Sequence, residues 1–529
     1  MPVRSSDRSD ARTPAAAGTG PLPGTAPRPY IEGMIEVLRE AGDQPVLRRD
    51  GADTTGLELL AATFRYARAL ESLGIARGDL VAMYAPNRPE ALALRYATHL
   101  LGAASVYLSA PPDAGKRAQM LVDFLPRLTV VFPETAQLLP PTTALCGAIG
   151  PVEDVPLNLG ELASGQDPTP MASRARPGDL AVVVSSGGTT GVPKGSMRDF
   201  TCYTNMVAAP SPRTRRQLAN GKLAYLTQAL VDTTLLGGGT VILQDRFQPA
   251  ATLAAIESER VTHLFLVEPQ LFDLMDHPDV TRRDLSSLSV LTHIGASAAP
   301  VLRMRARERL GPVIAHTYGA SEMGLVSALG PPEHDLAYPD RFTCAGRVLP
   351  GVEVRFRVPD GTIDERAGAI EVRSPAMALG YLRRPAEQAT NFADGWYHSG
   401  DLGELDEAGY LHIHGRAADC AVIDGRLVTP TALQDLLCRR PDVRYAVIVL
   451  DPSTGTRVAA VVPWPGQTVD ATGCLDTIST AFGPPAASTV MILPVDRIPL
   501  TEQGKPNRPE IRRLGRELSV RNRVPRQTT

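Results

Sequence analysis

The chain has 529 residues, which is too long for one ordinary hydrophobic core, so two or more domains are expected. Its 54 lysines and arginines nearly balance its 57 aspartates and glutamates, and the net charge of -3 excludes the basic surface that nucleic acid or an anionic membrane requires. No apolar stretch approaches the length of a membrane span, so we expect a cytoplasmic protein without a membrane span or a nucleic-acid partner.

The first 28 residues are rich in Pro, Gly, Ala and Arg and have no periodicity, which predicts a disordered tail. After this tail, segments with helical periodicity alternate with short strand-like runs. The pattern predicts helices over 57–73 and 91–101 and strands over 80–84 and 104–108. Such alternation is typical of a largely parallel α/β sheet.

Four further apolar runs end in small or polar residues, at positions 180–186, 262–267, 288–294 and 313–317. Each run has the length and composition of a buried strand. Because ligands bind at the carboxyl ends of strands in α/β sheets, we expect the four following loops to line one crevice.

The alternation becomes hairpin-like from about Gly351 and predicts an antiparallel β subdomain over 351–414. This subdomain would close a large domain of residues 29–416. A small domain of residues 417–529 follows, with a predicted helix over 431–438 and strands over 445–450 and 457–462. The expected fold class is therefore α/β, with a large N-terminal domain of mixed α/β sheets plus the antiparallel β subdomain, and a small, mobile α+β C-terminal domain acting as a lid.

Cysteine and lysine are used sparingly. The six cysteines are scattered, which indicates neither a disulfide framework nor a zinc site. Only four lysines are present, and they are Lys116, Lys194, Lys222 and Lys505. Arginine serves nearly everywhere else, so each lysine is a better than usual candidate for a role that needs a compact ammonium group.

Residues 185–195 read SSGGTTGVPKG and directly follow an apolar run. Hydroxyl groups and the bare amides of glycine can wrap closely around a phosphate. The stretch is not the common phosphate loop, which requires Gly, four residues and then Gly-Lys-Ser/Thr. None of the Gly-Lys pairs of this chain, at Lys116, Lys222 and Lys505, is followed by Ser or Thr.

Five motifs occur in order along the chain: SSGGTTGVPKG (185–195), HTYGASEMG (316–324), GWYHSGDLG (395–403), GRAADCAVIDG (415–425) and LTEQGKPNR (500–508). Together they resemble the adenylate-forming superfamily, which includes acyl-CoA synthetases, adenylation domains of non-ribosomal peptide synthetases and firefly luciferase. The resemblance extends from about Tyr30 to about Leu514. It implies that a carboxylate attacks the α-phosphate of ATP, giving an acyl-adenylate and pyrophosphate.

The resemblance also assigns the ATP site. The glycine-rich loop would close over the β- and γ-phosphates, Tyr318 resembles the aromatic that stacks on adenine, and Asp401 resembles the carboxylate that accepts both ribose hydroxyls. Arg416 resembles the ribose-contacting arginine at the domain break. The implied ATP-binding residues are Ser186, Gly187, Gly188, Thr189, Thr190, Gly191, Lys194, Gly295, Ala296, Ser297, Tyr318, Gly319, Asp401 and Arg416.

Three residues are implied as catalytic. Ser321 resembles the phosphate-contacting hydroxyl, and Glu322 resembles the magnesium ligand, since a hard cation favours carboxylate and phosphate oxygens. Lys505 matches the catalytic lysine of the small domain, whose ammonium stabilises the charge that develops on the α-phosphate during attack.

Several positions depart from the family pattern. The segment that shapes the acid pocket is shortened and lacks its gating histidine, and Asp232 does not match the aspartate that binds an α-amino group, which disfavours an amino-acid substrate. The hinge residue, commonly Asp or Lys, is Ala418, and Val422 replaces a lysine that helps the second half-reaction in some members. The glutamate that commonly follows Pro430 is also replaced, at Ala432.

The sequence therefore predicts an ATP- and Mg²⁺-dependent ligase. It would activate a small carboxylic acid and pass the acyl group to CoA or to the phosphopantetheine of a carrier protein supplied in trans. The first alternative is a repurposed member that uses another acid or nucleophile, either forming amides or activating nitrite to form diazo compounds. The second is a non-catalytic nucleotide-binding homologue, against which the joint presence of Glu322, Asp401, Arg416 and Lys505 argues.

Overall fold

The computed structural model describes residues 27–142, 144–186, 193–224, 226–294 and 299–523. Across these ranges, no helix is both long enough and apolar enough to cross a membrane. The α-helices of the described residues are α1 (Tyr30–Ala41), α2 (Gly56–Ser72), α3 (Pro89–Leu100), α4 (Ala114–Phe124), α5 (Leu159–Ser164), α6 (Phe200–Val207), α7 (Leu226–Leu236), α8 (Pro249–Ser258), α9 (Glu268–Met275), α10 (Pro300–Leu310), α11 (Pro385–Asn391), α12 (Pro430–Cys438), α13 (Ala471–Phe482), α14 (Pro484–Ser488) and α15 (Arg508–Arg523).

The strands of the same ranges are β1 (Pro45–Arg49), β2 (Ala52–Thr55), β3 (Leu80–Tyr84), β4 (Ala104–Tyr107), β5 (Leu128–Val131), β6 (Cys146–Ala148), β7 (Leu180–Ser186), β8 (Lys194–Asp199), β9 (Arg216–Ala219), β10 (Thr240–Leu243), β11 (His263–Val267), β12 (Val290–Ile294), β13 (Ile314–Ala320), β14 (Gly324–Leu329), β15 (Arg347–Val348), β16 (Glu353–Arg357), β17 (Ile363–Asp364), β18 (Ala367–Arg373), β19 (Gly380–Tyr381), β20 (Phe392–Ala393), β21 (Trp396–Leu405), β22 (Leu411–Arg416), β23 (Ala421–Ile423), β24 (Arg426–Val428), β25 (Val443–Asp451), β26 (Thr456–Pro463) and β27 (Val490–Pro494).

Three large sheets build the N-terminal part of the chain. The first sheet has the order β19-β8-β7-β4-β3-β5-β6 and the second has the order β15-β14-β13-β12-β11-β9-β10-β1-β2. Both have parallel centres. The first sheet has antiparallel strands at the β19 edge only, and the second has them at both edges. The third sheet, β17-β16-β18-β21-β20 with β22 on β21, is antiparallel throughout. The predicted fold class is confirmed.

The four strands that lead into the predicted crevice lie in two sheets. Strands β11, β12 and β13 are neighbours in the second sheet, but β7, which leads into the glycine-rich stretch, belongs to the first sheet. The four loops therefore come from two sheets, and their lining of one crevice stays a prediction. Hydrophobic periodicity marks a strand but does not record its neighbours, because pairing depends on residues far away in the chain.

Local sequence explains where individual helices begin. Helix α2 starts at a capping box in which the Thr55 hydroxyl accepts the Glu58 N–H at 3.2 Å and the Glu58 carboxylate accepts the Thr55 N–H at 2.8 Å. Two backbone donors that lack partners within the helix are thereby satisfied. Helix α12 begins in a similar way, since the Thr429 hydroxyl accepts the Ala432 N–H at 3.1 Å.

A fully buried ion pair joins helices α3 and α7, and a tyrosine of α6 donates a hydrogen bond to it. The Arg95 and Asp232 side chains have no exposed surface, and Nη1 of Arg95 lies 2.7 Å from Oδ2 of Asp232. The hydroxyls of Tyr96 and Tyr203 donate to the same carboxylate at 2.7 and 2.6 Å. Asp232 thus accepts three donors inside the core, which gives it a structural role in this fold.

We expect Asp232→Ala to destabilise the protein strongly, because it leaves the buried Arg95 guanidinium without a counter-charge. Breaking a buried pair from one side costs about 3–5 kcal/mol in the free energy of unfolding. Denaturant unfolding measures the change. Glu353→Ala, which removes an exposed partner of Arg373, is the control and should cost less than about 1 kcal/mol. Equal losses in the two variants would contradict the structural role of Asp232.

One apolar cluster runs from the second sheet into the C-terminal part of the chain. It includes Leu271 and Phe272 of α9, Leu302 of α10, Leu433 of α12 and Tyr445 of β25. The Phe272 and Tyr445 rings lie 4.5 Å apart between centroids. The division at 416/417 into a large and a small domain stays a prediction, since this core is shared by both sides.

Polar contacts surround the same interface. The Asp435 carboxylate accepts the Val301 N–H at the start of α10 at 2.7 Å, and Arg444 pairs with Asp276 at 2.9 Å. Gln434 donates to Oε1 of the buried Glu268 at 2.7 Å. Burial raises the pKa of the Glu268 carboxyl from 4.5 to about 8, although the hydrogen bond from Gln434 acts in the opposite direction.

Glu268 makes the stability of this interface dependent on pH. Between pH 4.5 and 8 the folded protein holds a proton that the unfolded chain has released, so the free energy of unfolding falls as pH rises, by about 1.4 kcal/mol per pH unit. Above the folded pKa both states are ionised and the loss stops. We expect Glu268→Gln to remove this slope, as measured by denaturant unfolding across the window, whereas Glu308→Gln on the exposed face of α10 should keep it. A slope that survives in Glu268→Gln would assign it to another group.

Candidate active site

Tyr318, Asp401 and Arg416 meet where β13 approaches the β21–β22 hairpin, and we refer to them as the Asp401 cluster. The register of the hairpin pairs Asp401 with Arg416. The Tyr318 hydroxyl donates to Oδ2 of Asp401 at 2.6 Å, and Nε of Arg416 lies 3.3 Å from Oδ1. The cluster thus offers a buried carboxyl oxygen, Oδ1, that lies beside Arg416 and has no hydrogen bond within the described chain.

Burial dominates the electrostatics of the Asp401 cluster. It raises the pKa of the Asp401 carboxyl above its ordinary value, while the Arg416 charge and the Tyr318 hydroxyl act in the opposite direction. Burial and the neighbouring Asp401 together raise the pKa of Tyr318 well above its ordinary value. Tyr318 therefore stays a hydrogen-bond donor at neutral pH, which fixes the orientation of the carboxylate.

The Tyr318 ring is 3% exposed and packs in an apolar cluster with Phe356 and Tyr397. The neighbouring side chains hold the ring in place, and the hydroxyl is therefore directed at Asp401. The stacking of Tyr318 on adenine stays a prediction.

Ser321 and Glu322 follow β13 directly. The Ser321 hydroxyl donates to Oε2 of Glu322 at 2.7 Å, and the Tyr381 hydroxyl donates to Oε1 at 3.1 Å. Nζ of Lys194 lies 5.2 Å from the centre of the Tyr381 ring. The structure therefore brings Lys194 and Glu322, which are remote in the chain, to two sides of one tyrosine.

Tyr381 was missed by the sequence analysis. It belongs to the two-residue strand β19, which pairs with β8 and places Tyr381 opposite Ser196. So short a strand has no periodicity that would reveal it. The only local signal is an aromatic residue directly after Gly380.

Lys505 lies in a tight turn between β27 and α15. The Thr501 N–H donates to the Lys505 carbonyl at 2.7 Å, and the Gly504 N–H donates to the Thr501 carbonyl at 2.9 Å. Gly504 has φ +77°, a backbone conformation that L side chains rarely adopt, so the conformation of the turn favours glycine.

The Lys505 side chain is open to solvent but is closely surrounded by protein. Loss of hydration lowers the pKa of its ammonium group, the Glu322 charge acts to raise it, and the Arg416 charge acts to lower it. The structure thus brings Lys505 into the electrostatic neighbourhood of both the Asp401 cluster and Glu322.

Part of the predicted ATP site lies outside the described residues. This holds for Gly187, Gly188, Thr189, Thr190 and Gly191 of the glycine-rich loop, for Gly295, Ala296 and Ser297, and for the side chain of Ser186. Gly319 is described and lies in β13, where a Cβ would come within 2.4 Å of the Gly324 carbonyl oxygen. Only glycine fits between these two strands.

The structure also describes the two residues near the predicted domain break that depart from the family pattern. Ala418 lies in the 3₁₀ turn Ala417–Asp419, and the buried Asp419 pairs with Arg508. Val422 lies in the β23–β24 hairpin opposite Leu427 and is 71% exposed. The predicted hinge position, Ala418, therefore lacks a charged side chain, and the hairpin presents an apolar one at Val422.

The C-terminal α+β unit consists of the three-stranded sheet β25-β26-β27 with helices α12, α13 and α15. This unit, the three large sheets and a cleft that gathers two carboxylates and three basic side chains define the class of adenylate-forming enzymes. A family model described as AMP-binding enzyme matches residues 36–382. The chain belongs to this family, which confirms the adenylate-forming superfamily indicated by the five motifs.

Two curated relatives are similar over nearly their whole length. A medium/long-chain-fatty-acid–CoA ligase of Mycobacterium tuberculosis is 30% identical over 90% of this chain and 89% of its own. A feruloyl-CoA synthase of Amycolatopsis sp is 31% identical over 88% of this chain and 95% of its own.

A solved structure is also similar. The amide bond synthetase McbA from Marinactinospora thermotolerans has 32% sequence identity and a TM-score of 0.81, covering 92% of this chain and 99% of its own. The relatives of this chain thus include ligases named for CoA and one named for amide bonds.

We expect Asp401→Asn to weaken AMP binding by about 10–100-fold, because hydrogen bonds to a charged acceptor contribute about 1.5–3 kcal/mol. Asparagine has nearly the same shape but loses the charge and one acceptor. Isothermal titration with AMP measures the change. Glu404→Gln, an exposed carboxylate on the same strand, should leave the affinity unchanged, and an unchanged affinity in Asp401→Asn would exclude Asp401 from nucleotide binding.

Proposed function

We propose that the protein adenylates a small carboxylic acid. The carboxylate of the acid attacks the α-phosphate of ATP, the bond between the α- and β-phosphates breaks, and pyrophosphate leaves. The observation that supports this reaction is the meeting of the Asp401 cluster, Glu322 and Lys505 at one cleft. These groups come from the end of the second sheet, the third sheet and the C-terminal turn.

In this proposal each group has one task. Asp401 accepts the ribose hydroxyls through its oxygen without a hydrogen bond, while Tyr318 keeps the carboxylate oriented. The Lys505 ammonium contacts the attacking carboxylate and the α-phosphate, where it stabilises the negative charge that increases during attack.

The residues present fit a magnesium ion carried by the nucleotide. No group of three or more His, Cys, Asp or Glu side chains that could hold a metal occurs in the part of the chain that the structure describes. Mg²⁺ is commonly held by one or two carboxylates together with substrate phosphates, and Glu322 supplies one carboxylate whose oxygens are oriented by Ser321 and Tyr381. When bound, the ion neutralises phosphate charge.

The acyl group then passes to a thiol. The sulfur of CoA, or of the phosphopantetheine on a carrier protein supplied in trans, attacks the acyl carbonyl and AMP leaves. The names of the two curated relatives support CoA as the acceptor. Because ATP and CoA are reactants of the cytoplasm, we infer that the reaction takes place there.

Amide formation is the second candidate, and the domain break favours it. Ala418 and the exposed Val422 leave the hinge and its hairpin without the charged side chains common at these positions, and the shared apolar core holds the C-terminal part in place. An amine would attack the acyl carbonyl, AMP would leave, and the product would be an amide. The similarity to an amide bond synthetase agrees with this candidate.

The first test is acid-dependent exchange between ATP and pyrophosphate. A panel of aryl, short-chain and fatty acids, with amino acids and nitrite included, identifies the acid. The accepted acid is then offered with CoA, with a phosphopantetheine carrier and with simple amines. Exchange with no member of the panel would contradict adenylation, and product formation with amines alone would select the second candidate.

We expect Lys505→Ala to lower this exchange by about 10²–10³-fold while ATP binding is largely kept, since the ammonium acts on the developing charge. Lys116→Ala, on the exposed face of α4, is the matched control and should keep full exchange. Equal exchange in Lys505→Ala and the wild type would refute the role of Lys505.

A further inference from the structure

Glu502 has no part in the reaction described above, yet both of its carboxylate oxygens contact the N-terminal part of the chain. Oε2 accepts the Ala110 N–H at 2.5 Å, and Oε1 pairs with the Lys222 ammonium. The Glu502 side chain is 17% exposed and that of Lys222 is 44% exposed. Glu502 precedes Lys505 by only three residues.

The partners of Glu502 follow the carboxyl ends of parallel strands in the first and second sheets. Ala110 follows β4 of the first sheet, and Lys222 follows β9 of the second. Gly504 of the same turn packs against Val267 and Gln270 at the end of β11. One carboxylate thus connects the turn to two sheets, and the neighbouring glycine adds a third contact.

The turn that carries Glu502 and Lys505 is held together by contacts within its own backbone. Leu500 and Pro506 form a β-bridge, and two backbone hydrogen bonds close the loop between Thr501 and Lys505. A shift of Glu502 therefore moves the whole turn. Because a misplacement of about 1 Å can slow a reaction by about 100-fold, a fixed turn matters for Lys505.

We propose that Glu502 is a positioning residue for Lys505, and that its pairing with Lys222 and the Ala110 N–H holds the turn in the adenylating arrangement. The inference rests on the proposed function. Glu502 acts through Lys505 and touches no substrate. Lys222 completes the anchor from the other side of the cleft, where the ion pair is open to solvent and is therefore weakened by salt.

The kinetic test uses ATP–pyrophosphate exchange with the acid found for the wild type. We expect Glu502→Gln and Lys222→Met each to lower kcat by about 10-fold with the KM values for ATP and acid within about twofold, as loss of positioning implies. The double variant should lose no more than the stronger single variant, because both substitutions break one contact. Raising the salt concentration should slow the wild type and leave both variants nearly unchanged.

The decisive comparison is made in the Lys505→Ala background. Glu502→Gln should have no further effect there, since the residue that it positions is gone. Glu517→Gln, which removes an acidic partner of Arg513 within α15, is the control and should match the wild type. A further loss of 10-fold in Lys505→Ala, Glu502→Gln would overturn the proposal and assign Glu502 a general structural role.

A measurement without substrates separates this inference from the proposed function. Hydrogen exchange of the backbone amides in residues 499–508 should be about 10-fold faster in Glu502→Gln and Lys222→Met than in the wild type and Glu517→Gln, because anchoring limits local opening. If the wild type shows no acid-dependent exchange of pyrophosphate, the proposed function fails while this result still decides on the anchor. Unchanged hydrogen exchange in both variants would overturn the anchor alone.

Discussion

The docking of the C-terminal α+β unit onto helices α9 and α10 is the interaction on which the candidate site depends. Lys505 belongs to that unit, whereas Asp401 and Glu322 belong to the sheets before it, so the cleft is complete only while the two parts stay together. The contact is apolar at its centre, where Phe272 packs on Tyr445. Burial of such surface is non-directional, and the polar contacts at its rim therefore have to set the orientation.

The same interface buries Glu268, whose carboxyl group has a raised pKa, close to the cleft. Glu268 begins α9 at the carboxyl end of β11 and is buried against Gln434 of α12. Two residues further on, Gln270 packs against Gly504 of the Lys505 turn. Helix α9 thus contacts both the docking interface and the turn.

Arginine and lysine side chains occupy different environments, with three arginines buried in the core and three lysines around the cleft. Arg95, Arg198 and Arg303 are among the largest fully buried side chains. Arg95 is paired with Asp232, and Nη1 of Arg303 donates to two backbone carbonyls. A planar guanidinium with five donors suits such sites, whereas an ammonium is strongly hydrated and suits a solvent-filled cleft. Three of the four lysines, Lys194, Lys222 and Lys505, lie around the cleft, as the scarcity of lysine suggested.

The sequence predicted local features well, namely the positions of strands and helices and the motifs. Periodicity located β3 and β7 to the residue and most of the other predicted elements to within one or two, and the five motifs indicated the family. The sequence did not predict contacts between residues that are far apart in the chain. Glu502 and Ala110 are 392 positions apart, and Arg95 and Asp232 are 137 apart. A motif shows that Lys505 has a role, but only the folded chain shows what holds Lys505 in place.

The docked arrangement bears on the choice of acceptor. Any route that requires the C-terminal unit to leave must break the Phe272–Tyr445 contact, the Val301–Asp435 hydrogen bond and the Arg444–Asp276 pair. Ala418 and Val422 offer no charged side chains with which a second arrangement could be stabilised in return. A small nucleophile that enters while the unit stays docked avoids this loss. We therefore infer that the docking interface favours a small amine over a thiol on a long arm to the extent that the thiol requires the unit to leave.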